Sequence, residues 1–339
     1  MSLGRRTEVT VEWAARDITR DLVPHLVGLT YADNLSGAAD DLQLELEDRG
    51  GLWSGDWRPT FSDSVTARIK VDAAEAWLTG IADFRLGKFA HDQIEISGPP
   101  RKATLKCVSA PMATGLRRRK RTKAWSGVTL EQIARDIADR ADLTLAWDGR
   151  AGSKYKHRAQ KEKTDLEFLT EAAKEIGRVV KVTEDKLVVF DELQCDKATP
   201  AGTIDLAAGH VIGWHFSSGD SDRYGRCLVS FFNPRTGKLQ KGEYVDQSNP
   251  DGQTLEMRIS VDDQGQATDK AKALLRNANR FATKGKLTVD GDPGLVAGVT
   301  FDLTGAYGLD GKFIITKAEH HPVGGYTVAL DVRRCMEGY

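Results

Sequence analysis

Leu42, Leu44 and Leu46 alternate with Asp41, Gln43, Glu45 and Glu47. A period of two turns the leucines to a core and the acids to water, the pattern of a half-buried strand. Val65, Ala67, Ile69 and Val71 repeat it against Thr66, Arg68 and Lys70. Gly50-Gly51 and Gly98-Pro99-Pro100 read as turns or boundaries. Short alternating strands separated by turns predict a small barrel or sandwich over residues 1–110.

The period changes near residue 112. Thr129 and Gln132 form a capping-box pattern, and Leu130, Ile133, Ala134, Ile137 and Ala138 then fall on one helical face. A short strand is expected from Leu143 to Trp147, with Asp148-Gly149 turning the chain, and the polar residues 150–163 read as a loop. A second box, Thr164 and Glu167, opens a helix with Leu166, Leu169, Ala173 and Ile176 inward and Gly177 at its C-terminal end. Val179 to Val182 and Leu187 to Phe190 predict a hairpin about Glu184-Asp185, so residues 112–195 read as a compact α+β insertion.

From residue 200 strands return at Val211 to Phe216, Arg226 to Phe232 and Gln253 to Val261, with Asn233-Pro234-Arg235-Thr236-Gly237 as a turn. One helix interrupts at about 264–282, with Ala267, Ala271, Leu274, Leu275, Ala278 and Phe281 inward and Gly285 to end it. The stretch 286–335 is β again, and Tyr326, Val328, Leu330 and Val332 alternate. A weak internal echo links residues 65–98 to 299–332. Val65-Thr66 matches Val299-Thr300, Ile69 matches Leu303, and Ile94 and Ile96 match Val328 and Leu330. Leu78-Thr79-Gly80-Ile81 and Lys312-Phe313-Ile314-Ile315 both read as a strand-like centre. The echo suggests two related β modules.

At 339 residues the chain is long for one core, and two to four domains are expected. Apolar content of 40% with 29% charged residues is that of a folded protein. A net charge of -1 argues against nucleic-acid binding by the whole chain. No apolar run is long enough to span a bilayer, and the start, Met1-Ser2-Leu3-Gly4-Arg5-Arg6, lacks the apolar stretch of a signal peptide. Synthesis in a cytoplasm without a membrane anchor is expected. Cys107, Cys195, Cys227 and Cys335 are scattered, with no Cys-x-x-Cys pair, and read as reduced thiols.

Candidate chemistry is thin. His320 and His321, beside Glu319, suggest a metal cluster, but neighbours on a strand point to opposite faces. His210 and His215 have no Cys, Asp or Glu at ligand spacing. Asp290 and Asp292 sit among Gly and Pro in what reads as a turn, without the twelfth-position Glu of an EF-hand. No Gly-x-Ser-x-Gly elbow, phosphate loop or dinucleotide fingerprint is present. No catalytic, cofactor-binding or metal residue is assigned, and the chain does not read as an enzyme. The strongest local signal is the basic run Arg117, Arg118, Arg119, Lys120, Arg121 and Lys123. It reads as a solvated loop, as a grip on an acidic protein or, less favoured because only Trp125 supplies an aromatic, as a grip on nucleic acid.

The order of the pieces resembles a known family. Leu29-Thr30-Tyr31-Ala32-Asp33-Asn34, Gly37-Ala38-Ala39-Asp40-Asp41-Leu42-Gln43-Leu44 and Leu46-Glu47-Asp48-Arg49-Gly50-Gly51-Leu52-Trp53 precede the basic run 116–125 and Thr129-Leu130-Glu131-Gln132-Ile133-Ala134. Gln160, Lys163-Thr164-Asp165-Leu166-Glu167-Phe168-Leu169, Gly291-Asp292-Pro293-Gly294-Leu295-Val296-Ala297-Gly298, Gly311-Lys312-Phe313-Ile314-Ile315 and His320 follow. This is similar to the phage late control gene D family, the hub of contractile-tail baseplates, and to the hub module of type VI valine-glycine repeat spike proteins.

The resemblance implies an α+β, mainly β fold. Two similar β-barrels, 1–111 and 196–339, would flank the insertion 112–195, with the second interrupted by a helix at about 262–284. It implies a homotrimer adapting a hexameric tail tube to a trimeric spike, in contact with other baseplate and tape-measure proteins, in the virion or particle tail. Unlike the spike proteins, the chain shows no further OB-like or needle segment after its last strand, so the spike is expected to be a separate polypeptide. Two other readings stay open: a tail-tip cell-wall hydrolase, for which Glu45, Glu47 and Asp48 are acidic but read as solvent-facing, and a nucleic-acid-binding protein acting through 117–123.

Overall fold

The computed structural model describes residues 7–36, 39–109, 115–149, 154–183, 185–219, 223–233, 237–259, 261 and 263–336. It is mainly β. The predicted alternation is the main organiser: Leu42, Leu44 and Leu46 on the strand Asp41–Glu47 are wholly buried, as are Val65 and Ile69 on Ser64–Val71. Val328, Leu330 and Val332 on Thr327–Arg334 face the same core.

A 13-stranded sheet runs through the molecule. In it the chain uses one strand order twice. The strands Leu26–Asn34, Asp41–Glu47, Ser64–Val71, Asp83–Ser97 and Lys102–Ser109 lie side by side as first, second, fifth, fourth and third, all antiparallel. Val211–Ser218, Thr283–Asp290, Thr300–Thr304, Gly311–His321 and Thr327–Arg334 repeat that order and polarity. The two copies join where Lys317–His320 pairs with Asn34–Tyr31.

The repeat is therefore one of topology, and the gapless echo slips against it. Asp83–Ser97, which carries Ile94 and Ile96, corresponds to Gly311–His321, whereas Val328 and Leu330 lie on the next strand. Leu78 to Ile81 is no strand. It lies in the connection to Asp83–Ser97, with Gly80 at φ 71° and the amides of Leu78 and Thr79 bonded to Asp292. Nor does hydrogen bonding close either copy into a barrel among the described residues. The edge of the first copy that would close it is taken by Lys317–His320 of the second.

The first insertion has its own core, with both predicted capping boxes formed at Thr129 and Thr164. Gly177, at φ 72°, follows the second helix, and a Cβ there would come within 2.8 Å of the Arg276 guanidinium. The hairpin Arg178–Val182 and Lys186–Asp191 forms, with Thr144–Trp147 added in parallel; Glu184 lies outside the described residues. Two loops expected here are strands. Lys120–Trp125, half of the basic run, pairs with Arg158–Thr164 from the polar stretch. Their charged faces hid the inward Trp125, Gln160 and Thr164.

The strands Tyr224–Asn233, Lys238–Val245 and Gln253–Arg258 form a separate sheet instead of extending the large one, and the helix Gln264–Asn279 covers it through Ala267, Ala271 and Leu275. The expected turn at Asn233–Gly237 lies largely outside the described residues. The helix ends earlier than expected. The Asn279 side chain bonds both the amide and the carbonyl of Tyr224, Phe281 is exposed, and Gly285 lies within the strand Thr283–Asp290.

Candidate docking surfaces

The basic run is divided by its own fold. Arg118 pairs with Asp92, Arg121 with Asp165 and Lys123 with Asp136, and the Lys123 ammonium also lies 5.2 Å from the Trp125 ring centroid. Arg117, Arg119 and Lys120 are exposed and make no ion pair among the described residues. Half of the run, Arg118, Arg121 and Lys123, is thus held by carboxylates, and half is available charge.

The other sequence candidates are structural. His320 is fully buried, with Nδ1 2.8 Å from the Tyr326 hydroxyl, and burial drives its pKa down to about 4. His321 lies on the opposite face and bonds Thr30. His215 is exposed on Val211–Ser218. Asp292 is buried and accepts from the amides of Leu78, Thr79 and Gly294, so it fastens a loop of the first copy to a turn of the second. Gly291 beside it allows the Tyr326 ring to approach; a Cβ would sit 2.1 Å from that ring.

Asp48 departs from its expected solvent-facing role. It is buried and accepts from the Trp53 amide, the Ser54 hydroxyl and Arg101, interactions that outweigh burial and hold its pKa below the usual value. Bonded this way it closes a turn. The four cysteines are free thiols, and burial pushes Cys107 up to about 12. Among the described residues no group of His, Cys, Asp and Glu could hold a metal ion, and no helix is long and apolar enough to cross a membrane.

The arrangement offers surfaces. Val211–Ser218 pairs on one side alone within the large sheet and carries Ile212 and Trp214, each more than half exposed. On Asp83–Ser97, the edge that pairs with Ser64–Val71 up to Ala90 has no strand against Gln93–Ile96, where Ile96 is exposed. Neither edge was singled out from the sequence: Val211 and Phe216 of the same strand pack on the core, so Ile212 and Trp214 read as ordinary strand residues.

The units are held together by buried charge. Arg333 lies on the strand Thr327–Arg334 and is 1% exposed. It bonds Glu192 at 2.7 Å and Asp196 at 2.9 Å on the short helix Glu192–Lys197. Arg280 and Arg276, on or next to the second insertion's helix, reach Glu192 and Asp191. Lys181 of the first insertion pairs with Asp33 and Asp40, and burial raises the pKa of Asp40 to about 7.

Comparison with known proteins gives four similarities. The profile of the family described as "Phage tail baseplate hub (GPD)" matches residues 81–324. A probable baseplate hub protein of Escherichia phage P2 is 31% identical over 215 residues, 62% of this chain and 52% of that protein, so the chain spans about half the length of this curated relative. The 43 kDa tail protein of prophage MuSo2 from Shewanella oneidensis superposes with a TM-score of 0.72 over 96% of this chain and 98% of that one, at 14% identity. A component of the Escherichia coli type VI secretion system shares the fold less closely, with a TM-score of 0.54 over 100% of this chain and 77% of the other, at 13% identity.

Proposed function

The chain belongs to the phage tail baseplate hub (GPD) family, and we propose that it is the structural hub of a contractile tail or tail-like particle, a homotrimer that adapts a six-fold tail tube to a three-fold spike. The observation that carries this reading is the joint between the two sheet copies. Tyr31–Asn34, at the end of the first strand of one copy, pairs with Lys317–His320 on the fourth strand of the other. The equivalent stretches, His215–Ser218 and Gln93–Ile96, have no strand against that same edge among the described residues.

The same joint repeated between chains would place His215–Ser218 of one protomer against Gln93–Ile96 of the next. Each joint is head-to-tail, the heterologous kind of contact from which closed rings are built. Three chains supply six similar modules, matching a six-fold tube, while the insertions recur only three times and suit a three-fold spike. Such an interface would bury about 2,000 Å² or more. The mechanism is mechanical: a preformed ring templates the tube, holds the spike and leaves a central passage. Arg117, Arg119 and Lys120 would hold an acidic surface of a neighbouring baseplate protein.

Light scattering on the eluting chain tests the reading. A mass near three times 37.2 kDa is expected, and Ile94→Cys with Ser217→Cys should cross-link neighbouring protomers under oxidation. A monomer that also fails to assemble when mixed with tube and spike proteins would overturn it.

A further inference from the structure

Between the first insertion and the helix of the second lies a cleft of about 660 Å³ that neither the duplicated sheet nor the ring joint uses. Its volume is within the roughly 300–1,000 Å³ of clefts that hold compact ligands. Leu130, Tyr155, Ile176, Leu193 and Ala273 contribute apolar surface to its lining. Lys154, Arg178, Lys270, Lys272 and Arg276 also line it, against only Asp191 and Asp269.

The walls are fixed. Lys270 spans from the helix to Glu175 at 3.4 Å. Arg276 reaches Asp191 at 3.1 Å and also bonds the Gly177 carbonyl. Asp191 is further occupied by the Leu193 amide. Asp191 is therefore neutralised, whereas among the described residues Lys154 is exposed without an ion pair and Lys272 lies against the Tyr244 ring, 5.3 Å from its centroid. The cleft carries an excess of positive charge over an apolar floor, and its walls need little ordering before a ligand enters.

We propose that this cleft is a docking groove for a short acidic segment of a partner protein, one that carries aliphatic or aromatic side chains between its carboxylates. The apolar lining favours a peptide over a phosphate backbone, because nucleic acid seeks open aromatic faces for stacking. Tyr155, the only aromatic in the lining, already has the Arg158 guanidinium 5.5 Å from its ring centroid. Charge complementarity sets the sign of the partner, and the floor sets its need for apolar residues. The proposal stands whether or not the chain assembles as a ring.

The test uses the full chain and an array of fluorescent peptides in which Asp and Glu alternate with Leu or Phe, read by anisotropy at moderate salt. Polyaspartate and a single-stranded oligothymidine serve as comparators. Binding of at least one acidic-apolar peptide is expected, at least tenfold tighter than polyaspartate. The double variant Lys154→Glu/Lys272→Glu should weaken it at least tenfold, and Lys154→Gln/Lys272→Gln should do so to a smaller degree with the fold unchanged by circular dichroism. The groove would be overturned by binding that ignores both variants, by polyaspartate or oligothymidine binding as tightly as the best peptide, or by no binding across the array.

Discussion

The indole of Trp77 lies flat on the imidazole of His210, with centroids 4.6 Å apart and planes 6° from parallel. Trp77 belongs to a loop of the first sheet copy, and His210 leads into the first strand of the second. The Trp77 Nε1 also donates to the Asp290 carbonyl at 3.1 Å, while His210 Nδ1 lies 3.1 Å from the Asp290 carboxylate. This contact, with Asp292, is a second joint between the copies. Trp77→Ala removes both ring and donor and should lower stability by about 2 kcal/mol; Trp77→Phe keeps a ring and should lose about 1 kcal/mol. Urea unfolding of the two variants measures the difference.

Arg333 is the most consequential buried charge. Its removal strands Asp196 in the interior and leaves Glu192 with Arg280 alone, so Arg333→Ala should destabilise by about 3–5 kcal/mol. Replacing all three with apolar residues of similar volume should recover most of that loss. If single and triple variants unfold at the same denaturant concentration, the penalty does not come from uncompensated charge.

Two buried groups give opposite pH dependences. His320 titrates at about 4 in the fold against 6.5 in the open chain. Its contribution is full above 6.5 and is lost as pH falls toward 4, because the unfolded chain takes up a proton the native state refuses. Asp40 titrates at about 7 against 3.8. Its contribution is full at low pH and is lost as pH rises from 3.8 through 7, because the native state keeps a proton the unfolded chain releases. Each slope reaches about 1.4 kcal/mol per pH unit, and they oppose each other where the windows overlap. His320→Gln should leave stability falling with rising pH there, and Asp40→Asn should leave it rising. Urea midpoints across mildly acidic pH separate the two.

Ile96 and Trp214 lie on or beside the two unpartnered edges. Ile96→Lys and Trp214→Lys put charge there without touching either core. Each should shift the assembly toward monomer at a given concentration by tenfold or more in dissociation constant, with less than about 0.5 kcal/mol change in monomer stability. Sedimentation velocity reads the first quantity and thermal unfolding of the monomer the second.

Local signals that act over a few residues were legible in the sequence. The alternation at Leu42 to Leu46 and the boxes at Thr129 and Thr164 needed no tertiary context. The strands at Lys120–Trp125 and Arg158–Thr164 were missed because their exposed faces are highly charged and only the pairing between them reveals the inward side. The repeat was visible as an echo but misaligned, since its copies share strand order more than residues. The edges, the Arg333 network and the cleft were not legible. Each is made by residues from distant segments, and no spacing along the chain encodes them. The basic run was legible as charge, yet its division into paired and free halves depends on Asp92, Asp136 and Asp165 arriving from elsewhere.

The two sheet copies differ most at one hairpin. Their first two strands are joined by residues 35–40 in one copy, whereas residues 219–282, a whole sheet and helix, fill the same position in the other. Loop-closure entropy grows slowly with length, so one strand order accommodates either connection. The short connection is itself occupied: Leu35 and Ala39 are buried, Asn34 donates to the Ala39 carbonyl and Asp40 faces Lys181, so the scaffold that carries a domain at one hairpin uses the twin hairpin as the seat of the first insertion.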